Sequence, residues 1–115
     1  LKLSSINPMV ISGDVIFILD TSGKLICIEK KSGKLTWAVQ LMMKKDGKEI
    51  IWNGPLLSSN KLILVSSYGL VLSLSPFTGE ILSKINFDEN FINNPIQVKK
   101  SIYLISKQGT LFILG

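Results

Sequence analysis

Three glycines set the rhythm of this chain. Gly23, Gly69 and Gly109 each follow one short apolar run and precede another. The first unit reads VIFILDTSGKLICIEKKSGKLTW from Val15 to Trp37, and the second reads KLILVSSYGLVLSLSPFTGEILS from Lys61 to Ser83. The third, SIYLISKQGTLFILG, runs from Ser101 to Gly115. In both complete units a second glycine follows ten residues after the first, as Gly33 and Gly79. A proline opens each unit, at Pro8, Pro55 and Pro95. Glycine at a tight reversal supplies the positive φ that other residues avoid. The runs between reversals are rich in Ile, Val, Leu, Phe and Tyr, which suit a pleated and packed surface. Helical spacing is nowhere sustained over about ten residues, so strands and turns are expected throughout.

Each unit divides into short strands. The first offers Met9–Ser12, Val15–Asp20, Lys24–Glu29 and Lys34–Leu41, and the second Leu56–Ser58, Lys61–Ser67, Leu70–Ser75 and Glu80–Phe87. The third offers Ile96–Lys99, Ser101–Ser106 and Thr110–Leu114. Self-similarity at 40 to 47 residues, read from the proline spacing, with four strands per unit, is the signature of β-propeller blades. The expected fold class is therefore all-β, built of four-stranded antiparallel blades at about 8–41, 55–87 and 95–115. That amounts to about 2.75 blades, too few for a closed ring of about four to eight, so a larger propeller is implied, with eight blades as the expected number. The chain opens in mid-pattern at Leu1 without a start methionine and so reads as the C-terminal piece of a larger protein. In closed propellers the missing fourth strand can come from the other end of the chain, which hides two sheet edges at once. Studied alone, such a piece is expected to self-associate through its open blade faces.

Composition narrows the function. Hydrophobic residues make up 46% of the chain and mean hydropathy is +0.38, which strands covered on both faces explain. No apolar stretch approaches the roughly 18 to 20 residues of a membrane-spanning helix. The net charge of +5 is carried by thirteen lysines and no arginine. The lysines are scattered, and arginine is the residue of bidentate phosphate and guanine contacts, so no nucleic-acid partner is expected. Histidine is absent, which removes the commonest general base and metal ligand. Cys27 is the single cysteine and stands in the run LICI, where a buried apolar residue is expected. The acidic residues fall mostly in turns and at strand ends, where polar groups belong anyway. No dense acidic loop is present to supply the six or so oxygens of a calcium site. Catalytic, cofactor and metal residues are therefore expected to be absent from this piece.

One connection stands out. Met42–Gly54, MMKKDGKEIIWNG, is longer than its counterpart Asp88–Asn94 and mixes lysines with apolar residues. Long insertions between blades lie on one rim and carry contacts. Met43, Lys44, Lys45, Ile51 and Trp52 are the candidate partner-binding residues. Trp37 and Trp52 are read chiefly as packing residues, the first between blades and the second over a blade top.

The spacing Asp20, Gly23, Ser32, Gly33, Lys34, Trp37, repeated as Ser66, Gly69, Thr78, Gly79, Glu80, resembles the PQQ-type β-propeller repeat. More closely, Trp52–Phe87 and the final SIYLISKQGTLFILG are similar to the C-terminal blades of BamB-like proteins, the lipoprotein component of outer-membrane β-barrel assembly. The match frays at Ser83, which stands where the first unit has Trp37. The resemblance implies a non-catalytic interaction scaffold on the periplasmic face of the outer membrane. Its implied partners are the BamA-like barrel-assembly protein and unfolded outer-membrane proteins. The alternative is a piece of a quinoprotein dehydrogenase or of a ligand-sensing propeller. Quinoproteins use an adjacent cysteine pair and acidic residues at the ring centre. Here there is one cysteine, and the inner-strand starts Met9-Val10-Ile11, Leu56-Leu57 and Ile96-Gln97-Val98 are largely apolar.

Overall fold

The computed structural model describes residues 9–114. The opening proline Pro8 and the terminal Gly115 lie outside the described residues. The first unit is an antiparallel meander of β1 (Val10–Ser12), β2 (Val15–Leu19), β3 (Lys24–Glu29) and β4 (Leu35–Gln40), paired in chain order. A two-stranded hairpin follows, β5 (Lys44–Lys45) with β6 (Lys48–Glu49). The second meander comprises β7 (Trp52–Ser58), β8 (Lys61–Ser66), β9 (Leu70–Leu74) and β10 (Ile81–Asn86). The third has β11 (Ile96–Val98), β12 (Ser101–Ile105) and β13 (Leu111–Leu114). No helix occurs among the described residues.

Strand alternation explains the layering. Successive side chains of a strand point to opposite faces. On β8, Leu62 and Leu64 join Phe17, Leu19, Leu25, Cys27 and Trp37 in a core between the first and second sheets. Their neighbours Ile63 and Val65 point the other way and join Phe91 and Leu104 in a core between the second and third. Strands β8 and β9 of the second sheet are thus buried on both faces, which is why they read as near-continuous apolar runs, whereas the outer strand β10 is exposed along its length. The far face of the third sheet carries Ile105, Leu111 and Ile113, all about half exposed.

The turns after β2, β8 and β12 share one chemistry. Asp20 Oδ1 accepts from the Ser22 and Lys24 amides at 3.0 Å and from the Ser22 hydroxyl at 2.6 Å. Ser66 Oγ accepts from the Leu70 amide at 2.9 Å, and Ser106 Oγ from the Thr110 amide at 3.0 Å. Short polar side chains that bond the backbone a few residues on hold such reversals in place.

Two expectations need correcting. The inner strand of the second unit begins at Trp52, not at Leu56, because Trp52 and Asn53 pair with Ser66 and Val65. Asn53, Gly54 and Pro55, at the end of the inter-blade connection and the opening of the unit, form instead an irregularity within the strand, where register shifts between Asn53 and Leu56 around a cis Gly54–Pro55 bond. Proline inside a sheet is confined to such breaks or to edges. The Met42–Gly54 connection is also not a plain loop, since it contains the β5–β6 hairpin. Asp46 and Gly47 at its tip both have positive φ, 52° and 75°, the geometry of a two-residue primed turn.

Candidate functional site

The β5–β6 hairpin lies on the rim that holds the turns after β2 and β8. The Leu41 amide donates to the Gly23 carbonyl at 2.8 Å and brings the chain off β4 onto that rim. The Ile50 amide donates to the Met43 carbonyl at 2.7 Å and closes the hairpin. Ile51 is tied to the next turn at both polar groups. Its amide donates to Ser67 Oγ and its carbonyl accepts from the Ser67 amide, each at 2.9 Å.

The five candidate residues divide by this geometry. Lys44 and Lys45 are exposed, and Lys45 Nζ stands 5.2 Å from the centroid of the Tyr68 ring. That distance is within reach of a cation–π attraction. Ile51 is 60% exposed despite its tethered backbone. Met43 is half-buried, with its sulfur packed over Gly23, where a Cβ would collide with it. Trp52 is buried, donates from Nε1 to the Met42 carbonyl at 2.8 Å and meets Tyr68 edge-on at 6.4 Å. Burial raises the Tyr68 hydroxyl above its usual pKa. Lys44, Lys45 and Ile51 are therefore exposed, while Met43 and Trp52 pack inward. Lys48, exposed on the same hairpin, was not among the candidates, and Met42, exposed just before it, was an apolar member of the connection but not one of the five. The Asp46-Gly47 pair flanked by Lys45 and Lys48 is the signal that locates them, since Asp-Gly between short runs marks a hairpin.

Beneath the hairpin is a cavity of about 200 Å³ lined by Asp20, Gly23, Met43, Glu49 and Trp52 among others. Burial alone would raise the Asp20 carboxyl. Hydrogen bonds from Ser22 and the Lys24 amide, with the Lys24 charge, outweigh it and hold the carboxyl below its usual value. Asp20 is thus already committed to its turn. Among the described residues no three of His, Cys, Asp and Glu converge as a metal ion requires. Burial raises the Cys27 thiol, only partly offset by a hydrogen bond with Thr36, so it is a poor nucleophile at neutral pH.

On the opposite rim the two contacts between sheets differ. Trp37 pairs across the sheet with Cys27. Its Nε1 donates to the Pro76 carbonyl of the second sheet at 3.0 Å. Its ring lies so close to Gly79 that a Cβ there would come within 2.6 Å of Trp37 Cε3. At the same place in the second sheet Ser83 pairs with Ser73, and their hydroxyls lie 2.6 Å apart.

Blade-like meanders in file, a shared turn chemistry and tryptophan packing from one sheet onto the next define a PQQ-type β-propeller repeat protein. A family model described as outer membrane protein assembly factor BamB matches residues 1–82. The chain belongs to this family. The outer membrane protein assembly factor BamB of Salmonella typhimurium strain LT2 is 18% identical over 114 residues, covering 98% of this chain and 28% of that protein. The crystal structure of BamB from Moraxella catarrhalis superposes with a TM-score of 0.73 at 22% identity, over 99% of this chain and 34% of that one. The computationally designed Ika4 protein gives a TM-score of 0.73 at 11% identity, over 95% and 64% of the respective chains. The structural likenesses show the fold. The chain spans 28% of the length of the Salmonella relative. Among the described residues no helix is long and apolar enough to cross a membrane.

Proposed function

We propose that this chain is part of a non-catalytic scaffold of outer-membrane β-barrel assembly, acting at the periplasmic face of the membrane and contacting protein partners through its rim. The reading starts from the family, whose members bear the name of outer membrane protein assembly factor. The observation that carries it to a surface is the β5–β6 hairpin. It carries exposed Lys44, Lys45 and Lys48, and the exposed apolar Met42 and Ile51 flank it in the chain on a backbone tied down at Leu41, Ile50 and Ile51. Apolar contacts ringed by charge on a rigid support are what a protein interface needs. The BamA-like barrel-assembly protein is the proposed docking partner, and unfolded outer-membrane proteins are the proposed clients.

The test is affinity capture from detergent-solubilised outer membranes with the tagged protein, partners being identified by mass spectrometry. The barrel-assembly protein should be recovered, and an Ile51→Asp/Lys45→Glu variant should lose it. Recovery of a quinone or small ligand in its place would move the protein to the oxidoreductase or sensor class. The half-exposed Ile105, Leu111 and Ile113 on the third sheet also support self-association of the 115-residue chain. A monodisperse monomer by light scattering would contradict that part.

A further inference from the structure

Lysines scattered along the sequence are gathered by the topology onto the rim opposite the hairpin. We propose that this rim lies against a membrane surface of anionic phospholipid headgroups. Three observations lead there. The first is charge. Each meander reverses at every turn, so the turns after β1, β3, β7, β9 and β11 share one rim. The Lys30 amide donates to the Asp14 carbonyl at 2.7 Å and ties the first two together. One cavity joins Ser12 to Asn60 and Phe77, and another joins Lys61 to Lys100, so the rim runs on from sheet to sheet. Exposed Lys30, Lys31, Lys34, Lys61, Lys99 and Lys100 stand on it, against the carboxylates of Asp14, Glu29 and Glu80 alone. On the hairpin rim Lys24, Lys44, Lys45, Lys48 and Lys107 are equalled in number by Asp20, Asp46, Glu49, Asp88 and Glu89. The positive excess therefore belongs to one rim.

The second is an apolar anchor on the same rim. Phe77, in the turn after β9, is 75% exposed, more than any other large apolar side chain among the described residues. Its amide and that of Thr78 donate to Ser75 Oγ at 3.1 and 3.3 Å, and the Gly79 amide donates to the Ser75 carbonyl at 2.9 Å. The Trp37 indole holds the Pro76 carbonyl just before it. The ring is thus exposed on a braced turn. Lysines beside an exposed aromatic ring suit the headgroup boundary, where ammonium groups meet phosphates and the ring enters the acyl edge. The third is spread. The lysines stand on turns of all three sheets, with a cavity between each neighbouring pair, so the charge is laid across the rim and not gathered in one cleft. An acidic peptide asks for a cleft, whereas a plane of headgroups meets a broad rim at many points at once.

The scaffold reading enters only in placing a membrane within reach. The test is flotation of the 115-residue chain on a density gradient, where oligomers without lipid stay at the bottom. The chain should float with vesicles of phosphatidylcholine containing roughly one-third phosphatidylglycerol. It should stay behind with phosphatidylcholine alone, and high salt should release most of it. Lys31→Glu/Lys61→Glu/Lys100→Glu, one exposed position on each sheet, should weaken binding at least about tenfold. Lys24→Glu/Lys84→Glu/Lys107→Glu makes the same charge change on each sheet away from this rim and should alter binding by no more than about threefold, since salt screens charges beyond about 10 Å. The two native tryptophans are buried, so the emission of Phe77→Trp reports the turn and should shift to the blue on the anionic vesicles. Circular dichroism establishes that each variant is folded. No flotation with the anionic vesicles, equal flotation with both lipids, equal losses in the two triple variants or an unshifted Phe77→Trp emission would overturn the proposal. So would capture of an oligoglutamate peptide by these lysines without vesicle binding, which would make the rim a protein site. Loss of partner capture by the hairpin variant with vesicle binding intact would sink the scaffold surface and leave the lysine rim standing. The converse result would sink the lysine rim alone.

Discussion

The first and second sheets meet through the same repeat positions as the second and third, yet the two contacts are finished differently. At the first, Trp37 reaches across the gap, bonds the Pro76 carbonyl at 3.0 Å and lies over Gly79. Phe17 tilts against it at 6.1 Å. At the second, Ser83 stops short and turns to Ser73. There the core shifts toward the opposite rim, where Phe87, Phe91 and Phe112 pack with centroids 4.7 to 5.8 Å apart. The same fold tolerates either arrangement because an apolar core elsewhere in the contact carries the adhesion. The difference teaches that the repeat's tryptophan is a local tie between sheets, not a space-filler, since cavities of about 260 and 200 Å³ lie beside the contacts with and without it.

The largest effect should come from breaking the tie. Trp37→Ala removes a buried indole and strands the Pro76 carbonyl, and should cost about 3–5 kcal/mol. Ser83→Ala loses one hydroxyl pair and should cost no more than about 0.5–1.5 kcal/mol. Urea denaturation of the two variants measures the gap directly, and equal losses would remove the distinction.

The glycines opposite each tryptophan position sharpen it further. Gly33 and Gly79 both have positive φ, 72° and 79°. A Cβ at Gly33 would meet nothing within 4 Å, while one at Gly79 would come within 2.6 Å of Trp37 and 2.8 Å of Val39. Gly33→Ala should cost only the backbone strain, about 1–2 kcal/mol. Gly79→Ala should cost about 1–3 kcal/mol more, from overpacking against the indole. In a Trp37→Ala background that excess should vanish.

Much of this was legible in the sequence and some was not, for physical reasons. Gly23, Gly69 and Gly109 fixed the turns because glycine is the residue that reaches their backbone angles, and the apolar runs fixed the strands. Ser83 in place of Trp37 marked the position where the two contacts differ in their hydrogen bonds. Which residues line the space beside Ser83 depends on neighbours far along the chain, such as Leu114 and Lys100, which no local pattern links to it. The start of β7 was missed because Gly54-Pro55 has the composition of a turn, and only pairing with β8 shows it to be a break within a strand. Trp52 was read chiefly as packing over a blade top, although its connection also set it among the contact candidates. It is buried, with its Nε1 donating to the Met42 carbonyl. The Asp46-Gly47 hairpin was readable and was passed over.

A smaller effect separates the turns. Asp20 does with a charge what Ser66 and Ser106 do with a hydroxyl. Burial raises its carboxyl pKa, but the turn's hydrogen bonds depress it more, so its native value lies below the ordinary one. A depressed native value means stability that is present above the unfolded pKa of about 4 and lost as pH falls through the native one. Asp20→Ser should therefore flatten the acid limb of the stability profile and leave the neutral region modestly lower. An unchanged acid limb would show that Asp20 adds nothing its neighbours lack.

The tie itself is tested most directly by native-state hydrogen exchange read strand by strand. Amides of β4 around Trp37, whose indole is tied to the second sheet, should exchange slowly. Those of β10 around Ser83, its repeat counterpart, should exchange markedly faster, as expected where local opening costs less. Uniform protection across the three sheets, or slower exchange around Ser83 than around Trp37, would contradict the account.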